Sequence, residues 1–211
     1  MAEISLVGIS GSLRRGSYNT ALRAALDALP EGVGLSLYDG LREIPPYDED
    51  EDDDSPPAAV SRLRGELAGA DGLLLAAPEY NHSIPGQLKN AIDWASRPAA
   101  ASVLRFLPAA VIGASTGAFG AVWSQAEMRK VLAACGSRVV DGEVALGHAH
   151  ERLDADGHLI DEEAREQLRE VLELLVDAVR QRRIAAERRT SPLDVGPSTG
   201  CGQPRGDFTA A

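Results

Sequence analysis

Near its amino end the chain reads ISLVGISGSLRRGSYN over residues 4–19. Residues 4–9 form a short apolar run, which is typical of a buried β-strand. The serine and glycine residues at positions 10–12 then indicate a tight turn. An amphipathic helix is predicted from about residue 19 to residue 29, because leucine and alanine recur there at helical spacing. This order of strand, loop and helix is that of the first half of a βαβ unit.

The alternation of strands and helices continues along the chain. Further strands are predicted at residues 33–37, 72–77, 109–114 and 138–140, and the last of these can continue to residue 146. Further helices are predicted at residues 58–68, 85–96, 121–135 and 161–187. Most of the strands are continuously apolar, which favours a parallel sheet covered by helices on both faces. The predicted fold is therefore α/β, a doubly wound five-stranded parallel sheet that binds its ligand at the carboxyl ends of its strands.

The length of 211 residues suits about one domain. Residues 1–187 are expected to form this domain. Residues 188–211 are expected to form a disordered C-terminal tail, since glycine, proline, serine and threonine dominate there and few apolar residues are present. No internal repeat is apparent in the sequence.

The net charge is -11, but residues 48–54 are seven acidic residues in a row, so much of the acidity is local. This run is most simply a solvated, self-repelling loop; the alternative is that it shields a neighbouring surface from anionic ligands. No basic surface of the kind that binds nucleic acid is present. No run approaches the ~20 apolar residues that a membrane span needs.

The two cysteines, Cys135 and Cys201, lie far apart and lack the C-x2-C spacing of a metal site. A structural disulfide is therefore not expected, which fits a reducing compartment. The first residues lack the basic region and the apolar stretch of a signal peptide. These features together predict a cytoplasmic protein.

The loop at residues 11–19 follows a strand and opens a helix, so its backbone N–H groups converge in a way that suits a phosphate. Ser12, Ser17 and Asn19 add neutral hydrogen-bonding groups, and Arg14 adds a planar cation suited to phosphate oxygens. Neither a nucleoside-triphosphate loop with its lysine nor the spacing G-x-G-x-x-G is present. The alternative is an ordinary βα turn in which Ser17 or Asn19 caps the helix.

Two more loops are predicted at the same edge of the sheet. Residues 78–85 follow the third strand and could offer backbone groups to a flat heterocycle, with Tyr80 as an apolar wall. Residues 114–120 follow the fourth strand and are small enough to approach a ligand closely. Each loop alone could be a generic connection. Their convergence with residues 11–19 on one edge is what favours a common binding site.

Other candidate groups have weaker patterns. His148, His150 and His158 could suggest metal ligands, but they lie in a polar stretch that reads as a loop, and no metal site is predicted. Glu79 and Asp93 could form a carboxylate pair, although a helix-facing role for Asp93 is simpler. No arrangement of serine or cysteine with histidine indicates nucleophilic catalysis, so no catalytic side chain is predicted.

Three motifs of the sequence are specific in combination: GSLR at residues 11–14 with Ser17 and Asn19, PEYN at residues 78–81, and PGQLKNAIDW at residues 85–94. In these motifs the sequence resembles the NAD(P)H-dependent FMN reductase family, which includes quinone, azo-dye and chromate reductases. The IPPYD stretch at residues 44–48 also resembles a loop of that family. The similarity covers about residues 3–180. It implies a flavodoxin-like fold with strand order 2-1-3-4-5.

The resemblance also implies which residues contact a non-covalently bound FMN. Four residues of the first loop would hold the phosphate, residues 78–81 would line the isoalloxazine ring and the ribityl chain, and residues 115 and 117 would touch the ring. The expected cofactor-binding residues are Ser12, Leu13, Arg14, Ser17, Tyr18, Asn19, Pro78, Glu79, Tyr80, Asn81, Ser115, Thr116 and Gly117. Many family members have two glycines where this chain has Gly120 and Ala121, which makes the shape of the third loop an open question.

The function that the resemblance implies is an FMN-dependent oxidoreductase. NADPH or NADH would reduce the flavin, which would then reduce a small acceptor such as a quinone, a free flavin or an azo compound. The alternative is a flavodoxin-like electron carrier without nicotinamide turnover. The resemblance further implies a homodimer or homotetramer, and no residue of the sequence distinguishes NADPH from NADH.

Overall fold

The computed structural model describes residues 4–14, 20–152, 154 and 158–190. In this part of the chain, strands and helices alternate along most of the sequence. In chain order they are β1 (Ile4–Ser10), α1 (Thr20–Asp27), β2 (Val33–Tyr38), α2 (Ala58–Gly69), β3 (Gly72–Ala76), α3 (Gly86–Ala95), β4 (Pro108–Ala114), α4 (Val122–Ala134), β5 (Arg138–Val139), β6 (Ala145–Leu146) and α5 (Glu162–Thr190). Short 3₁₀ turns lie at Gly40–Glu43, Glu49–Glu51, Ala99–Ala101 and Ala149–Glu151.

The strands form one parallel sheet with the order β2-β1-β3-β4-β5. This confirms the predicted order, in which the chain starts near the middle of the sheet and winds outward in both directions. Parallel strands joined by helices must all present their carboxyl ends at one edge. The loops after β1, β3 and β4 therefore start from three adjacent strands and lie side by side at that edge.

Helices cover both faces of the sheet, as predicted. On β1, Val7 and Ile9 pack into a core cluster with α2, α3 and α4. The alternate residues Ile4 and Leu6 pack into a second cluster with α1 and α5. Because successive side chains of a strand point to opposite faces, a continuously apolar strand contributes to both clusters.

The fifth position of the sheet holds two short strands instead of the single strand that was predicted. Two short strands, β5 and β6, lie beside β4 at different heights, with Ala109 opposite Val139 in β5 and β6 paired higher up. Between them the chain leaves the sheet, where Arg129 of α4 donates to the Gly142 carbonyl at 3.1 Å and forms an ion pair with Glu143 at 2.8 Å. Arg129 of α4 thus contacts the segment between the two short strands.

Several helix boundaries also differ slightly from prediction. Pro85 is the residue before α3 rather than its first residue, with ψ 131° and a carbonyl that accepts from the Lys89 N–H. Asp161 precedes α5, and its carboxylate accepts a hydrogen bond from the Ala164 N–H at 2.9 Å, as a helix cap does. Helix α5 continues to Thr190, three residues beyond the predicted end of the domain.

No helix among the described residues is long and apolar enough to cross a membrane. The long helix α5 carries many charges, and its apolar residues form a stripe that faces the sheet. This stripe consists of Ala164, Leu168, Val171, Leu172, Leu175, Val176 and Val179.

Candidate functional site

The three predicted loops meet at the carboxyl edge of the sheet. The Gly11 N–H donates to the Ala76 carbonyl of β3 at 2.8 Å, which joins the first loop to the start of the second. The Ala77 N–H donates in turn to the Ile112 carbonyl of β4 at 2.9 Å. The backbone therefore fixes the three loops relative to one another before any side chain contributes.

Gly11 allows the first two loops to touch. A Cβ atom at this position would lie 2.7 Å from Leu88 Cδ2 and 2.9 Å from Pro78 Cδ, which is too close for any other residue. The next residue, Ser12, is 2% exposed, and its hydroxyl accepts from the Arg14 N–H at 3.3 Å. The chain from Ser12 to Arg14 is thus tightly curved.

Arg14 is exposed at the rim of the first loop, so its guanidinium is accessible to an anion. A second arginine, Arg42, donates to the Leu13 carbonyl at 2.8 Å and holds the loop from the side of β2. Ser17 and Asn19, which were predicted to complete the phosphate site, and Tyr18, a further predicted cofactor contact, lie outside the described residues. The described part of the loop supplies a buried hydroxyl and an exposed guanidinium.

The second loop forms a small hairpin beside the first. Tyr80 and Ser83 exchange both backbone hydrogen bonds at 3.2 Å, while Asn81 and His82 have φ values of 54° and 60°. Two central residues with positive φ are typical of a type I′ turn. The Tyr80 hydroxyl lies 3.5 Å from the Ser12 hydroxyl, and its ring is half exposed, so one ring face is available to a ligand.

Glu79 joins the second loop to α4. Its carboxylate accepts hydrogen bonds from the backbone N–H groups of Trp123 and Ser124, at 3.1 and 3.3 Å. The Ser124 hydroxyl donates to the Pro78 carbonyl at 2.9 Å. A carboxylate at a helix N-terminus satisfies unpaired N–H groups and complements the helix dipole. The Glu79 side chain thus positions α4, whereas the sequence suggested that it lines a ligand.

The third loop is hydrogen-bonded to the chain that follows β6. The His148 and Ala149 N–H groups donate to the Gly117 and Ser115 carbonyls, both at 3.0 Å. The Ser115 hydroxyl donates to the Gly117 carbonyl at 3.2 Å. Thr116 and Gly117 are exposed on the other side. A Cβ on Gly117 would meet only the Ser115 hydroxyl, at 3.7 Å, so the space above this loop is open to a ligand.

The third loop keeps a left-handed backbone at both Gly120 and Ala121, with φ values of 57° and 64°. Ala121 stands where many family members have a second glycine. Ala121 therefore adopts a left-handed conformation despite its Cβ atom, at a conformational cost of about 1–2 kcal/mol. The third loop of this chain has this shape without a second glycine.

Helix α3 contributes positioning residues rather than ligands. Gln87, Asn90 and Trp94 lie on one helix face at spacings of three and four residues. Their side chains hydrogen-bond to the backbone of residues 41–47 at 2.7–2.9 Å. The long motif at residues 85–94 thus holds the loop after β2, and Trp94 is completely buried.

The acidic run is not a uniformly solvated loop. Six of its seven residues are exposed, but the side chain of Asp52 is only 9% exposed and pairs with Arg64 at 2.7 Å. Arg64 also donates from Nε to the Trp94 carbonyl at 3.1 Å. Asp48 accepts from the Asp50 N–H and so supports the 3₁₀ turn at Glu49–Glu51. At least one acidic residue therefore holds the run against α2.

The remaining candidate groups have separate partners. His158 Nδ1 lies 2.7 Å from an Asp27 carboxylate oxygen, while the His148 and His150 rings are 6.4 Å apart. The Asp93 carboxylate pairs with Lys89 on the same helix, away from the hydrogen bonds of Glu79. Within the described residues no group of three or more histidine, cysteine, aspartate or glutamate side chains could hold a metal ion.

A cluster of aromatic side chains beside the loops was not predicted. Trp123 of α4 lies edge-to-face against both Phe119 and His82, with ring centroids 5.1 and 4.8 Å apart. Phe119 and Trp123 are 65% and 43% exposed. The sequence contained the residues but not their proximity, because His82 lies in the second loop and Trp123 lies in α4.

Known proteins match this chain over most of its length. The profile of the NADPH-dependent FMN reductases matches residues 4–151. An NAD(P)H-dependent FMN reductase of Pseudomonas aeruginosa is 43% identical over 183 residues, covering 86% of this chain and 98% of the relative. A 2-hydroxy-1,4-benzoquinone reductase of a Burkholderia species is 38% identical over 183 residues, covering 86% and 99%.

A solved structure supports the same relationship. The flavoenzyme NAD(P)H:(acceptor) oxidoreductase from Paracoccus denitrificans superimposes with a TM-score of 0.73 and is 34% identical in sequence. The superposition covers 84% of this chain and 98% of that protein. The likeness therefore extends over nearly the whole of the solved structure.

Proposed function

Because the chain belongs to the NADPH-dependent FMN reductase family, we propose that it carries electrons from NADPH or NADH to a small planar acceptor. Bound FMN is the intermediate carrier, and a quinone is the foremost acceptor, with free flavins and azo compounds as further candidates. The family relationship supports the cofactor and the nicotinamide. The name of the 2-hydroxy-1,4-benzoquinone reductase supports the quinone.

One geometric observation supports this proposal. Three loops from adjacent strands meet, and their groups suit the two ends of FMN. The first loop offers Ser12 and the exposed Arg14, which suit a phosphate. The second offers the ring of Tyr80, and the third leaves open space above Gly117. A phosphate at one end and a flat slot at the other are what FMN requires, so the residues fit this cofactor.

We assign each expected residue a part in holding FMN. Ser12 and Arg14 would bind the phosphate together with Ser17 and Asn19, and Leu13 and Tyr18 would add further contacts from the same loop; residues 17–19 lie outside the described residues. The backbone of Pro78, Glu79 and Asn81 and the ring of Tyr80 would line one side of the isoalloxazine. Ser115, Thr116 and Gly117 would line the other.

When bound, FMN would supply the two-electron chemistry that links oxidation of the nicotinamide to reduction of the acceptor. The nicotinamide loses two electrons and one proton, and a quinone gains two electrons and two protons, so the second proton comes from water. The protein contributes position and electrostatics. Glu79 fixes α4 against the second loop, and the half-exposed Tyr80 ring would cover one side of the isoalloxazine.

The test is reduction of the purified holoenzyme under anaerobic conditions. NADPH or NADH should bleach the visible absorbance of the bound flavin within one turnover, and 2-methyl-1,4-naphthoquinone should then restore it. Protein that binds FMN stoichiometrically but is bleached by neither nicotinamide would overturn the reductase proposal. Bleaching without reoxidation by quinones, free flavins or azo dyes would overturn the proposed acceptors.

We also propose a homodimer or homotetramer that works in the cytoplasm. The family resemblance supports the oligomer. The dependence on reduced nicotinamide, an intracellular co-substrate, supports the location. Light scattering of the full chain and fractionation of cells that produce it test the two points; a monomer, or activity confined to another compartment, would contradict them.

A further inference from the structure

Three of the nine aromatic residues of the chain are exposed in or next to the loops of the candidate site. Tyr80, Phe119 and Trp123 come from the second loop, the third loop and the first turn of α4. Large exposed apolar side chains that lie together are the informative exceptions on a protein surface. We call Phe119 and Trp123 the aromatic platform.

The platform has a defined geometry. Phe119 meets Trp123 at an interplanar angle of 66°, and His82 meets it at 86°, so both contacts are edge-to-face. Edge-to-face contact leaves part of each ring face uncovered, and a planar ligand can stack there. The backbone of Trp123 is held by the Glu79 carboxylate at 3.1 Å, which ties the platform to the second loop.

The charges around the platform favour a neutral ligand. Glu127 accepts hydrogen bonds from the Ser83 hydroxyl and from the Ile84 N–H, at 2.7 and 3.3 Å, and His82 lies 3.4 Å from Glu79. Two carboxylates therefore flank the hairpin next to the platform. They would repel an anionic acceptor and leave a neutral one unaffected.

We propose that Phe119 and Trp123 form the binding platform for a neutral acceptor with two fused planar rings, of the naphthoquinone class. This rests on the proposed function, since the platform borders the loops assigned to the flavin ring. Stacking on it holds the acceptor at the mouth of the slot, where two electrons from the reduced flavin and two protons convert the quinone into the hydroquinone. The platform selects acceptors by shape and charge, and the reaction with nicotinamide does not depend on it.

Binding without turnover tests the platform directly. Equilibrium dialysis of 2-methyl-1,4-naphthoquinone against the oxidised holoenzyme, with no nicotinamide present, gives the dissociation constant. Phe119→Leu and Trp123→Leu should each raise it about 3- to 10-fold, the factor expected when one stacking contact is lost. Trp123→Phe should restore most of the affinity, since it keeps an aromatic face.

The matched control is Phe106→Leu. Phe106 is 62% exposed and precedes β4, so it lies at the opposite edge of the sheet. This variant removes an equally exposed aromatic ring and should leave the dissociation constant unchanged. A dissociation constant that is the same in wild type, Phe119→Leu and Trp123→Leu would overturn the proposal, as would equal effects in the platform variants and the control.

Turnover separates this proposal from the proposed function. The platform variants should raise the KM for the naphthoquinone with little change in kcat, and should leave bleaching by NADPH and reduction of ferricyanide unchanged. Wild-type protein that NADPH cannot bleach would reject the proposed function itself. Normal bleaching with an unchanged KM in both variants would reject only the platform.

A second copy of the chain is the competing occupant of these aromatic rings. Light scattering of Phe119→Leu and Trp123→Leu at several protein concentrations distinguishes the two. Unchanged mass together with weaker quinone binding supports the acceptor platform. A shift to a smaller assembly without any change in quinone binding would assign the rings to a subunit interface and overturn the proposal.

Discussion

At Gly120 the backbone has φ 57°, and a Cβ atom there would lie 2.2 Å from the Ala145 carbonyl carbon. Gly147 faces a similar restriction, because a Cβ atom there would lie 2.2 Å from the Ala118 carbonyl oxygen. These two glycines let the third loop and the β6 segment approach each other. The shape of the candidate site therefore depends on positions that contact no ligand.

Gly120→Ala should destabilise the protein by about 3 kcal/mol, from the left-handed conformation and from overpacking. FMN should be retained less well, because the third loop must move away from β6. Urea unfolding and flavin content after gel filtration measure the two effects. Gly65→Ala is the control: it lies in α2 with nothing near its Cβ, and should gain about 0.5–1 kcal/mol. Equal stability of the two variants would contradict the argument.

Tyr38 is buried at the end of β2, and burial raises the pKa of its hydroxyl to about 12. The nearby Arg62 guanidinium opposes this shift in pKa but does not cancel it. An unfolded chain loses the tyrosine proton near pH 10, whereas the folded protein keeps it until about pH 12. The unfolded state is therefore favoured increasingly as the pH rises from 10 to 12.

The free energy of unfolding should accordingly fall by about 1 kcal/mol between pH 9 and pH 11 through this group. Tyr38→Phe should lack this part of the loss. Urea unfolding of both proteins at the two pH values isolates the effect as a difference between their slopes. Parallel pH dependence in the two proteins would show that Tyr38 does not titrate as described.

At the scale of elements, α3 does more than cover the sheet. Asn90 donates to the Pro45 carbonyl and accepts from the Tyr47 N–H, both at 2.7 Å. The Trp94 indole donates to the same carbonyl at 2.9 Å. The loop after β2 thus obtains much of its hydrogen bonding from one face of α3. This is the structural role of the polar side chains in the motif at residues 85–94.

Asn90→Leu should cost about 2 kcal/mol, because it leaves backbone groups of the loop without their side-chain partner. Hydrogen exchange should quicken at the Tyr47 amide and remain slow in β3. Lys89→Ala on the same helix removes only a half-exposed ion pair with Asp93 and should change stability by less than about 0.5 kcal/mol. If Asn90→Leu also lowered the free energy of unfolding by less than about 0.5 kcal/mol, Asn90 would have no positioning role.

At the scale of the whole molecule, α5 closes one face of the sheet. Its residues Leu168, Leu172 and Leu175 are completely buried against β3 and β4. Beyond Val179 the helix becomes polar and mostly exposed, and it ends at Thr190. The domain proposed from the sequence as residues 1–187 therefore needs the first half of α5 far more than the second.

A chain that ends after residue 190 should match the full-length protein in Tm and in flavin content, because the apolar stripe of α5 is intact. A chain that ends after residue 174 should fail to fold, since Leu175, Val176 and Val179 would be missing from the core. Thermal unfolding and flavin absorbance compare the two with the full chain. A large loss of Tm in the longer truncation would assign residues 191–211 a structural part.

Periodicity determined the layers of this protein, because strands buried on both faces must be apolar and the helices between them carry apolar stripes, whereas the strand order followed from the family resemblance. The same patterns placed the loops of the candidate site at one edge, since parallel strands end together. The sequence did not predict the split between β5 and β6, and the contacts of Arg129 with residues 142 and 143 in that segment come from another element. Nor could it assign Asp52 to Arg64, because that ion pair depends on how α2 packs.

By itself, the sequence determined the fold class, the family and the three loops, since each follows from local patterns or short motifs. Only the tertiary structure decided what individual side chains do there. It directed the Glu79 carboxylate to the N-terminus of α4, left Arg14 exposed, and brought His82, Phe119 and Trp123 into contact. The physical reason is that local patterns specify elements, whereas contacts between loops depend on how those elements pack.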